Sequence, residues 1–159
     1  MKTRVVAERQ QVVRVDREDS AAQIASVSGE ILGALDAVLP LVDGVIMEDY
    51  GKGLLTQAVV DRVLGEAARR RMPVGLDPKD TRNLTIKRIA LATPNYKEAC
   101  LHAVLPEVPL GGNLLEHGNL VEAGRRLRSL WDPDVLLITL GAHGMYCLPR
   151  EGRDRKSVV

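Results

Sequence analysis

The chain has 159 residues, of which 45% are hydrophobic and 27% are charged, a composition that indicates a folded globular domain and excludes a disordered segment. Its formal net charge is +1 and aromatic residues make up only 3%, so neither a basic field nor an aromatic stacking surface indicates nucleic-acid binding. We find no secretory signal and no apolar run long enough to span a bilayer, which predicts a cytoplasmic protein without nucleic-acid or membrane partners.

The first predicted elements are a hairpin and a long helix. Residues 4–16 alternate weakly between polar and apolar types on either side of a charged centre, which predicts two antiparallel strands. From residue 20 to residue 39, apolar side chains recur at helical spacing, and Pro40 follows the end of this run. We therefore divide the chain into a hairpin at residues 1–18 and an α/β domain at residues 19–159.

Strands and helices then alternate along the chain. Short apolar runs predict strands at residues 42–47, 73–77, 89–93 and 135–139. Helices are predicted between them, at residues 56–71, 95–104 and 120–131, and an antiparallel strand is predicted at residues 145–148. The first run carries only Asp43 as a charge, so we expect its strand to be covered on both faces. Because parallel neighbours need a crossover of roughly a dozen residues or more, this order predicts an α/β fold with a mainly parallel sheet.

Each of the four predicted parallel strands leads into polar residues or glycines, and in open α/β sheets ligands bind at the carboxyl ends of the strands. Residues 49–53 read Asp-Tyr-Gly-Lys-Gly, where the glycines would let the backbone approach a ligand. Lys52 offers a positive charge for phosphate and Asp49 an acceptor for sugar hydroxyls. A plain strand-to-helix turn with a solvated lysine is the alternative.

The second strand ends in Asp77-Pro78-Lys79, which places a carboxylate and an ammonium together. Pro78 disfavours helical geometry for Asp77 and so keeps it at the tip of the strand. Asp77 and Lys79 would bind a sugar hydroxyl and a phosphate, or form a surface ion pair of little energetic value.

The third strand leads into residues 93–98, Thr-Pro-Asn-Tyr-Lys-Glu. Asn95 and Glu98 are three residues apart and share a helix face, which suits a hydrated Mg²⁺ beside a polyphosphate. Alternatively, Asn95 caps the helix and Glu98 is its capping-box partner, which is the better interpretation of this segment taken alone.

The fourth strand leads into residues 139–144, Thr-Leu-Gly-Ala-His-Gly. Two glycines frame a tight turn whose backbone N–H groups and Thr139 hydroxyl would cradle phosphate oxygens. A hairpin turn without a ligand is the alternative.

The cysteines and histidines give no metal-binding pattern. Cys100 and Cys147 lack the spacing of a zinc site or a disulfide framework, so we expect buried free thiols. His102, His117 and His143 also lack metal-site spacing, and we assign them no role.

Together and in this order, the motifs resemble those of the ribokinase-like (PfkB) carbohydrate kinases. Within that family, the resemblance is greatest to the kinase module of bifunctional heptose enzymes, which phosphorylate D-glycero-β-D-manno-heptose 7-phosphate during ADP-heptose synthesis. It implies a Rossmann-type three-layer α/β sandwich, here truncated at both ends. The hairpin at residues 1–18 would then be a remnant of the lid over the sugar.

The resemblance also implies the ligands: ATP with Mg²⁺, a monovalent cation, and a sugar phosphate. For ATP and its phosphates it implies Asn95, Tyr96, Lys97, Glu98, Thr139, Gly141 and Gly144, with Asn95 and Glu98 holding Mg²⁺ through water. For the substrate and its phosphate it implies Arg4, Asp49, Lys52, Asp77 and Lys79. Unpaired sheet edges would in addition favour a homodimer.

The family's Gly-Ala-Gly-Asp segment, which carries the catalytic aspartate and the anion-hole amides, does not occur in these 159 residues. In the family this segment follows the last strand, so the resemblance places the catalytic base after Val159 and assigns no catalytic residue within the chain. It therefore predicts an internal fragment of a kinase, which has no turnover alone because it lacks that base and those amides. A non-catalytic α/β module that binds a nucleotide or a partner through the same cleft is the alternative function.

Overall fold

Two sheets organise the chain in a computed structural model that describes residues 2–7, 10–16, 26–150 and 157–158. The first sheet is the antiparallel hairpin of β1 (Lys2–Ala7) and β2 (Gln10–Asp16), as the sequence predicted. The second contains six strands whose spatial order follows the chain: β3 (Val45–Glu48), β4 (Val74–Asp77), β5 (Leu91–Ala92), β6 (Val135–Thr139), β7 (Met145–Pro149) and β8 (Ser157–Val158).

Strands β3 to β6 run parallel, whereas β7 and β8 are antiparallel to their neighbours. The helices are α1 (Ser28–Val38), α2 (Gln57–Arg70), α3 (Tyr96–Ala103) and α4 (Gly118–Trp131). Single 3₁₀ turns occur at Leu39–Leu41, Leu114–Glu116 and Gly141–His143. The prediction of an α/β fold with a mainly parallel sheet is therefore confirmed.

The boundary that we predicted between residues 18 and 19 lies outside the described residues, as do residues 20–25 of the first predicted helix. Val159, the last residue of the predicted α/β domain, lies outside them as well. The division of the chain into a hairpin and an α/β domain stays a prediction. Both cysteines are free; Cys100 is buried and Cys147 is half-buried.

One face of the second sheet carries the hydrophobic core. Met47, Leu76, Ala92, Leu136 and Leu148 are register partners in one row across β3 to β7, and all five are buried. Helices α2, α3 and α4 bury their apolar stripes in the same core. Each connection steps to the next strand in one direction, and right-handed crossovers of that kind place their helices on the same side of a sheet.

The opposite face is open in the described part of the chain. Successive side chains of a strand alternate between faces, so the neighbouring row of Ile46, Gly75 and Leu91 points away from the core. Ile46 is 77% exposed and Leu91 is 37% exposed. The expectation that the first parallel strand is covered on both faces is therefore wrong.

The first parallel strand also begins later than its apolar run. Residues 42–47 were predicted, but the 3₁₀ turn Leu39–Leu41 and a bend before Val45 delay the strand to Val45–Glu48. The guanidinium of Arg70 in α2 donates hydrogen bonds to the carbonyls of Leu39 and Val42, the latter at 2.9 Å. A tertiary contact therefore fixes the connection between α1 and β3.

Candidate functional site

The carboxyl ends of β3 to β6 place the predicted motifs along one edge of the sheet. Glu48 and Asp77 are register partners at the ends of β3 and β4, and the Asp49 N–H donates to the Asp77 carbonyl at 3.0 Å. At the end of β6, Asn95 pairs with Thr139 in a parallel bridge. The structure therefore forms two groups of predicted residues, one beyond β3 and β4 and one beyond β5 and β6.

The Asp49 carboxylate joins the first group. Its Oδ1 accepts the Gly51 N–H at 2.8 Å and its Oδ2 accepts the Asp80 N–H at 3.0 Å. Gly51 and Gly53 have φ values of +66° and +84°, in the left-handed region that favours glycine. Asp49 thus connects the turn that carries Lys52 to the loop that carries Lys79.

Asp77 lies half-buried beside a second carboxylate. Burial and the negative charge of Glu48 raise the pKa of Asp77, while the Thr93 hydroxyl partly offsets the rise. The Tyr50 hydroxyl donates to Glu48 Oε1 at 2.5 Å, and this hydrogen bond raises the pKa of Tyr50. Sequence reasoning assigned no role to Glu48 and Tyr50, although both belong to the polar run that directly follows the predicted strand at residues 42–47.

The loop after β4 is tied down at both ends. Arg82 donates from Nε and Nη2 to the two Asp80 oxygens, each at 2.8 Å, and lowers the pKa of that carboxyl to about 2. Gln57 of α2 donates to the Thr85 carbonyl at 3.1 Å and accepts the Thr85 N–H at 2.8 Å. Lys79 is exposed on this loop, and the hydrogen bonds at Asp80 and Thr85 restrain the backbone that follows it.

Asn95 and Glu98 form a capping box at the start of α3. Asn95 Oδ1 accepts the Glu98 N–H, and Glu98 Oε2 accepts the Asn95 N–H, both at 2.9 Å. Among the described residues, no group of three or more His, Cys, Asp or Glu side chains is placed to hold a metal ion. A Mg²⁺ ion that is bound mainly by waters and substrate phosphates needs only one or two carboxylates, so a water-mediated contact with Glu98 is compatible with this geometry.

Tyr96 and Lys97 differ in what their side chains can reach. The Tyr96 side chain is buried; its hydroxyl donates to the Val108 carbonyl and accepts from Asn119 Nδ2, each at 2.9 Å. Any contact of Tyr96 with a nucleotide would therefore go through its backbone. Lys97 is exposed and faces solvent at the same helix start.

The Gly141–His143 turn closes between β6 and β7. Gly141 and Gly144 have φ values of +60° and +85°, and the Leu140 N–H donates to the Gly144 carbonyl at 2.8 Å. The N–H groups of His143 and Gly144 donate within the turn, both at 3.2 Å. Thr139, half-buried, precedes this turn and donates its N–H to the Pro94 carbonyl at 3.0 Å.

Arg4 belongs to neither group. It lies on β1 in register with Arg14, and in the described part of the chain no hydrogen bond or ion pair links it to the other predicted site residues. The assignment of Arg4 to the substrate site therefore stays a prediction.

The catalytic base is the one predicted part of the site that falls on no residue of the chain. The resemblance places it after Val159, and Val159 itself lies outside the described residues. The position of the base therefore stays a prediction.

Two grooves border the site. One of about 380 Å³ runs along the edge strand β3 and ends at Glu48, Asp49, Tyr50 and Lys52. A second of about 410 Å³ lies between Tyr96, the loop at residues 107–110 and His143. A larger groove of about 780 Å³ is lined by none of the predicted site residues.

Two histidines without a predicted role lie on the helices next to the site: His102 in α3 and His117 at the start of α4. His117 caps α4 by accepting the Leu120 N–H on Nδ1 at 3.3 Å, and its Nε2 lies 3.2 Å from the Pro109 carbonyl oxygen. His102 is buried against Trp131, and neither of its ring nitrogens has a hydrogen-bond partner in the described structure. Burial lowers the pKa of His102. The negative charge of Asp80 offsets part of this decrease, whereas the positive charge of Arg82 adds to it.

None of the described helices has the length and apolarity that crossing a membrane requires.

Curated relatives match nearly the whole chain. It is 35% identical over 151 residues to the bifunctional protein HldE of Geobacter metallireducens, covering 95% of this chain and 29% of that protein. It is 36% identical over 144 residues to HldE of Helicobacter hepaticus, covering 91% of this chain and 28% of that protein. The chain therefore spans less than a third of the length of these relatives. No protein-family model matches it.

Solved sugar kinases share the fold. Ribokinase from Giardia lamblia superposes with a TM-score of 0.63 at 16% identity, covering 99% of this chain and 46% of that one. Arabidopsis thaliana ribokinase complexed with ribose and ATP gives 0.57 at 15% identity, covering 80% and 38%. Escherichia coli phosphofructokinase-2 in complex with fructose-6-phosphate gives 0.60 at 11% identity, covering 99% and 49%.

At these identities the structural likeness shows the fold alone, whereas the sequence matches show common descent with HldE. By sequence, the chain is therefore similar to one segment of the HldE proteins, and it shares the fold of the two ribokinases and of phosphofructokinase-2.

Proposed function

We propose that this chain supplies the central part of the ligand cleft of an ATP-dependent sugar-phosphate kinase that acts on heptose 7-phosphate in ADP-heptose synthesis for the lipopolysaccharide core. The observation that carries the proposal is the meeting of four polar strand ends at one sheet edge, in a chain that matches HldE along most of its length. Such an edge is where open α/β sheets bind their ligands.

The nucleotide would lie beyond β5 and β6. Thr139, Gly141 and Gly144 would contact its phosphates or ribose, and Lys97 would offset their charge. Tyr96 would contribute its backbone, since its side chain is buried. The ribokinase complexed with ribose and ATP supports ATP as the nucleotide.

Asn95 and Glu98 would hold Mg²⁺ through water. The ion would neutralise charge on the ATP phosphates, and these two side chains would orient its waters. Mg²⁺ binding is compatible with the capping box, because only one oxygen of the Glu98 carboxylate accepts the Asn95 N–H. The other oxygen can accept a hydrogen bond from a water of the ion. A monovalent cation is a further proposed cofactor.

The sugar phosphate would lie beyond β3 and β4. Asp77 is the candidate for a sugar hydroxyl and Lys52 and Lys79 for phosphate charge, while the Asp49 carboxylate bonds to the backbone of the two segments that carry these lysines. Arg4 would join them only if the hairpin closes over the sugar as a lid. The phosphofructokinase-2 complex with fructose-6-phosphate supports a phosphorylated sugar as substrate. We further propose a cytoplasmic location and a homodimer.

Titration calorimetry with MgATP tests the proposal. Glu98→Gln keeps an oxygen that accepts the Asn95 N–H but removes the charge, so we expect a loss of MgATP affinity of about 10-fold or more with little loss of stability. Thr56→Ala is the matched control, because Thr56 caps α2 by accepting the Val59 N–H at 3.3 Å and lies outside the proposed nucleotide site. It should lower the free energy of unfolding by about 1 kcal/mol and leave MgATP affinity unchanged.

A coupled assay for ADP release tests the activity. The 159-residue polypeptide holds no Gly-Ala-Gly-Asp segment, so we expect no heptose 7-phosphate-dependent turnover from it alone. A longer protein that joins these residues to a Gly-Ala-Gly-Asp segment should show that turnover. Activity of that protein with adenosine but not with a sugar phosphate would refute the proposed substrate, and MgATP binding without turnover would favour a non-catalytic nucleotide-binding module.

A further inference from the structure

The Asp49 carboxylate spans two loops that both lead to the proposed ligand. Its Oδ1 bonds to the Gly51 N–H at 2.8 Å and its Oδ2 to the Asp80 N–H at 3.0 Å. Both bonds hold backbone, so the side chain fixes the course of two segments that are about thirty residues apart in sequence.

Each of these segments presents a lysine. Lys52 lies between Gly51 and Gly53, and Lys79 immediately precedes Asp80. A turn with two glycines has many accessible backbone conformations, so holding it in one conformation requires a contact that offsets the lost entropy. The Gly51 N–H bond to Asp49 is such a contact.

The far end of the second segment is anchored separately. The Gln57 amide bonds to both backbone groups of Thr85, and the Asp49 N–H donates to the Asp77 carbonyl at 3.0 Å. The strand end and the loop after it are therefore fixed around Asp49. Because the Asp49 side chain also accepts the Gly51 N–H, it holds the glycine turn in a defined position relative to the strand end and the loop.

We propose that Asp49 is a positioning residue rather than a sugar contact: its carboxylate sets the spacing between Lys52 and Lys79, which together receive the phosphate groups of the ligands. The inference rests on the proposed kinase function. Both carboxylate oxygens already accept a charge-assisted hydrogen bond from the backbone, and a substrate hydroxyl would have to share them.

Asp49→Asn separates this role from a direct contact. The asparagine side chain has nearly the same volume, but its amide nitrogen is a donor and cannot accept a backbone N–H. One of the two bonds is therefore lost. Asp43→Asn is the matched control, since it makes the same chemical change at an exposed residue before β3.

Two measurements are made on the 159-residue chain: amide hydrogen exchange at Gly51 and Asp80, and calorimetric binding of inorganic tripolyphosphate and of heptose 7-phosphate. For Asp49→Asn we expect exchange at one or both amides to accelerate about 10-fold, as the loss of one charge-assisted hydrogen bond implies. Binding of both ligands should weaken by a similar factor, about 3- to 10-fold. Asp43→Asn should change neither measurement.

Tripolyphosphate has no sugar hydroxyl, so it distinguishes positioning from sugar contact. If Asp49→Asn weakens only heptose 7-phosphate binding, or leaves both amides fully protected, the positioning role is wrong. If the unsubstituted chain binds neither ligand, the proposed function fails instead, and the amide exchange still reports whether Asp49 holds the two loops.

Discussion

His102 is a buried polar residue that the proposed chemistry does not use. It is 6% exposed, its ring packs edge-on against Trp131, and the charges of Asp80, Arg82 and Asp49 act on it. A protonated imidazole in this position would be a buried charge, which is costly, and burial is the main reason why the pKa of His102 is lowered. The neutral ring is therefore part of the packing behind the Lys79 loop.

The stability of the protein should depend on pH through His102. Its pKa is lowered in the folded state, so the unfolded chain binds the proton more readily. Above the unfolded pKa of about 6.5, His102 is neutral in both states and its protonation costs no stability. Below that pH the unfolded chain takes up the proton first, so the free energy of unfolding falls by up to about 1.4 kcal/mol per pH unit until the folded pKa is reached. Thermal melts followed by circular dichroism between about pH 5 and 8 measure this slope.

His102→Phe keeps an aromatic ring and removes the titration, so its melting temperature should depend less on pH in that window. His143→Gln is the control, because His143 is exposed, and it should retain the wild-type slope. Equal slopes for the wild type and His102→Phe would contradict the assignment.

For single residues, the sequence predicted the contacts that depend only on spacing along the chain. The three-residue separation of Asn95 and Glu98 predicted the capping box that the structure contains. The roles of Asp49 and Glu48 were harder to predict, because they depend on which backbone groups the neighbouring strand brings close. Sequence identifies a carboxylate at a strand end but not the N–H groups that occupy it.

Replacing a glycine by alanine should have opposite effects on stability in α2 and in α4. Gly65 in α2 has open space where a Cβ would lie, whereas a Cβ on Gly124 in α4 would overlap the Leu148 side chain and lie 3.3 Å from Tyr146 Cε1. We expect Gly65→Ala to raise the free energy of unfolding by about 0.5–1 kcal/mol, because alanine is the better helix former. Gly124→Ala should lower it by about 1–2 kcal/mol, because overpacking exceeds the same gain.

Urea denaturation of both variants measures the difference, and each serves as the control for the other. A stabilised Gly124→Ala variant would mean that α4 does not pack closely against β7. The unchanged slope of free energy against urea would confirm that both variants unfold from the same native state.

Helices were easier to locate than strands because their ends are marked locally. Helix α2 was predicted at residues 56–71 and occurs at Gln57–Arg70, with Thr56 as its cap. Strand β5 was predicted at residues 89–93 but is only Leu91–Ala92, although Ala90 and Thr93 still donate to β4 carbonyls at 2.8 and 2.9 Å. A strand end is set by its partner, which an apolar run does not specify.

For the whole molecule, the sequence predicted the class of sheet but not what covers it. The alternation of strands and helices is enough to give parallel neighbours and a polar carboxyl edge. The exposure of the second face depends on which segments pack there. An apolar residue such as Ile46 is expected in a strand whether that face is covered or open, so the sequence does not distinguish the two cases.

Within residues 26–150 and 157–158, one face of the second sheet is open and β3 has no neighbour on its outer edge, which should promote self-association. Ile46 lies on both, and exposed apolar residues on an unpaired strand favour pairing with another chain. We expect the mass measured by light scattering to rise with protein concentration for the wild type. Ile46→Lys should reduce this rise while changing the free energy of unfolding by less than about 0.5 kcal/mol, since the residue is mostly exposed.

Leu130→Gln is the control, because Leu130 is an exposed leucine on α4, and it should leave association unchanged. A wild type that stays monomeric at all concentrations would refute both the proposed homodimer and this role of Ile46.

The contact between Trp131 and His102 gives the protein an internal optical probe. Trp131 is the only tryptophan in the chain, it is 1% exposed, and its ring centroid lies 5.0 Å from that of His102. An imidazolium quenches the fluorescence of an adjacent indole by accepting an electron from the excited indole, whereas a neutral imidazole quenches it far less. The emission of the unlabelled protein should therefore report the state of one histidine behind the loop that carries Lys79.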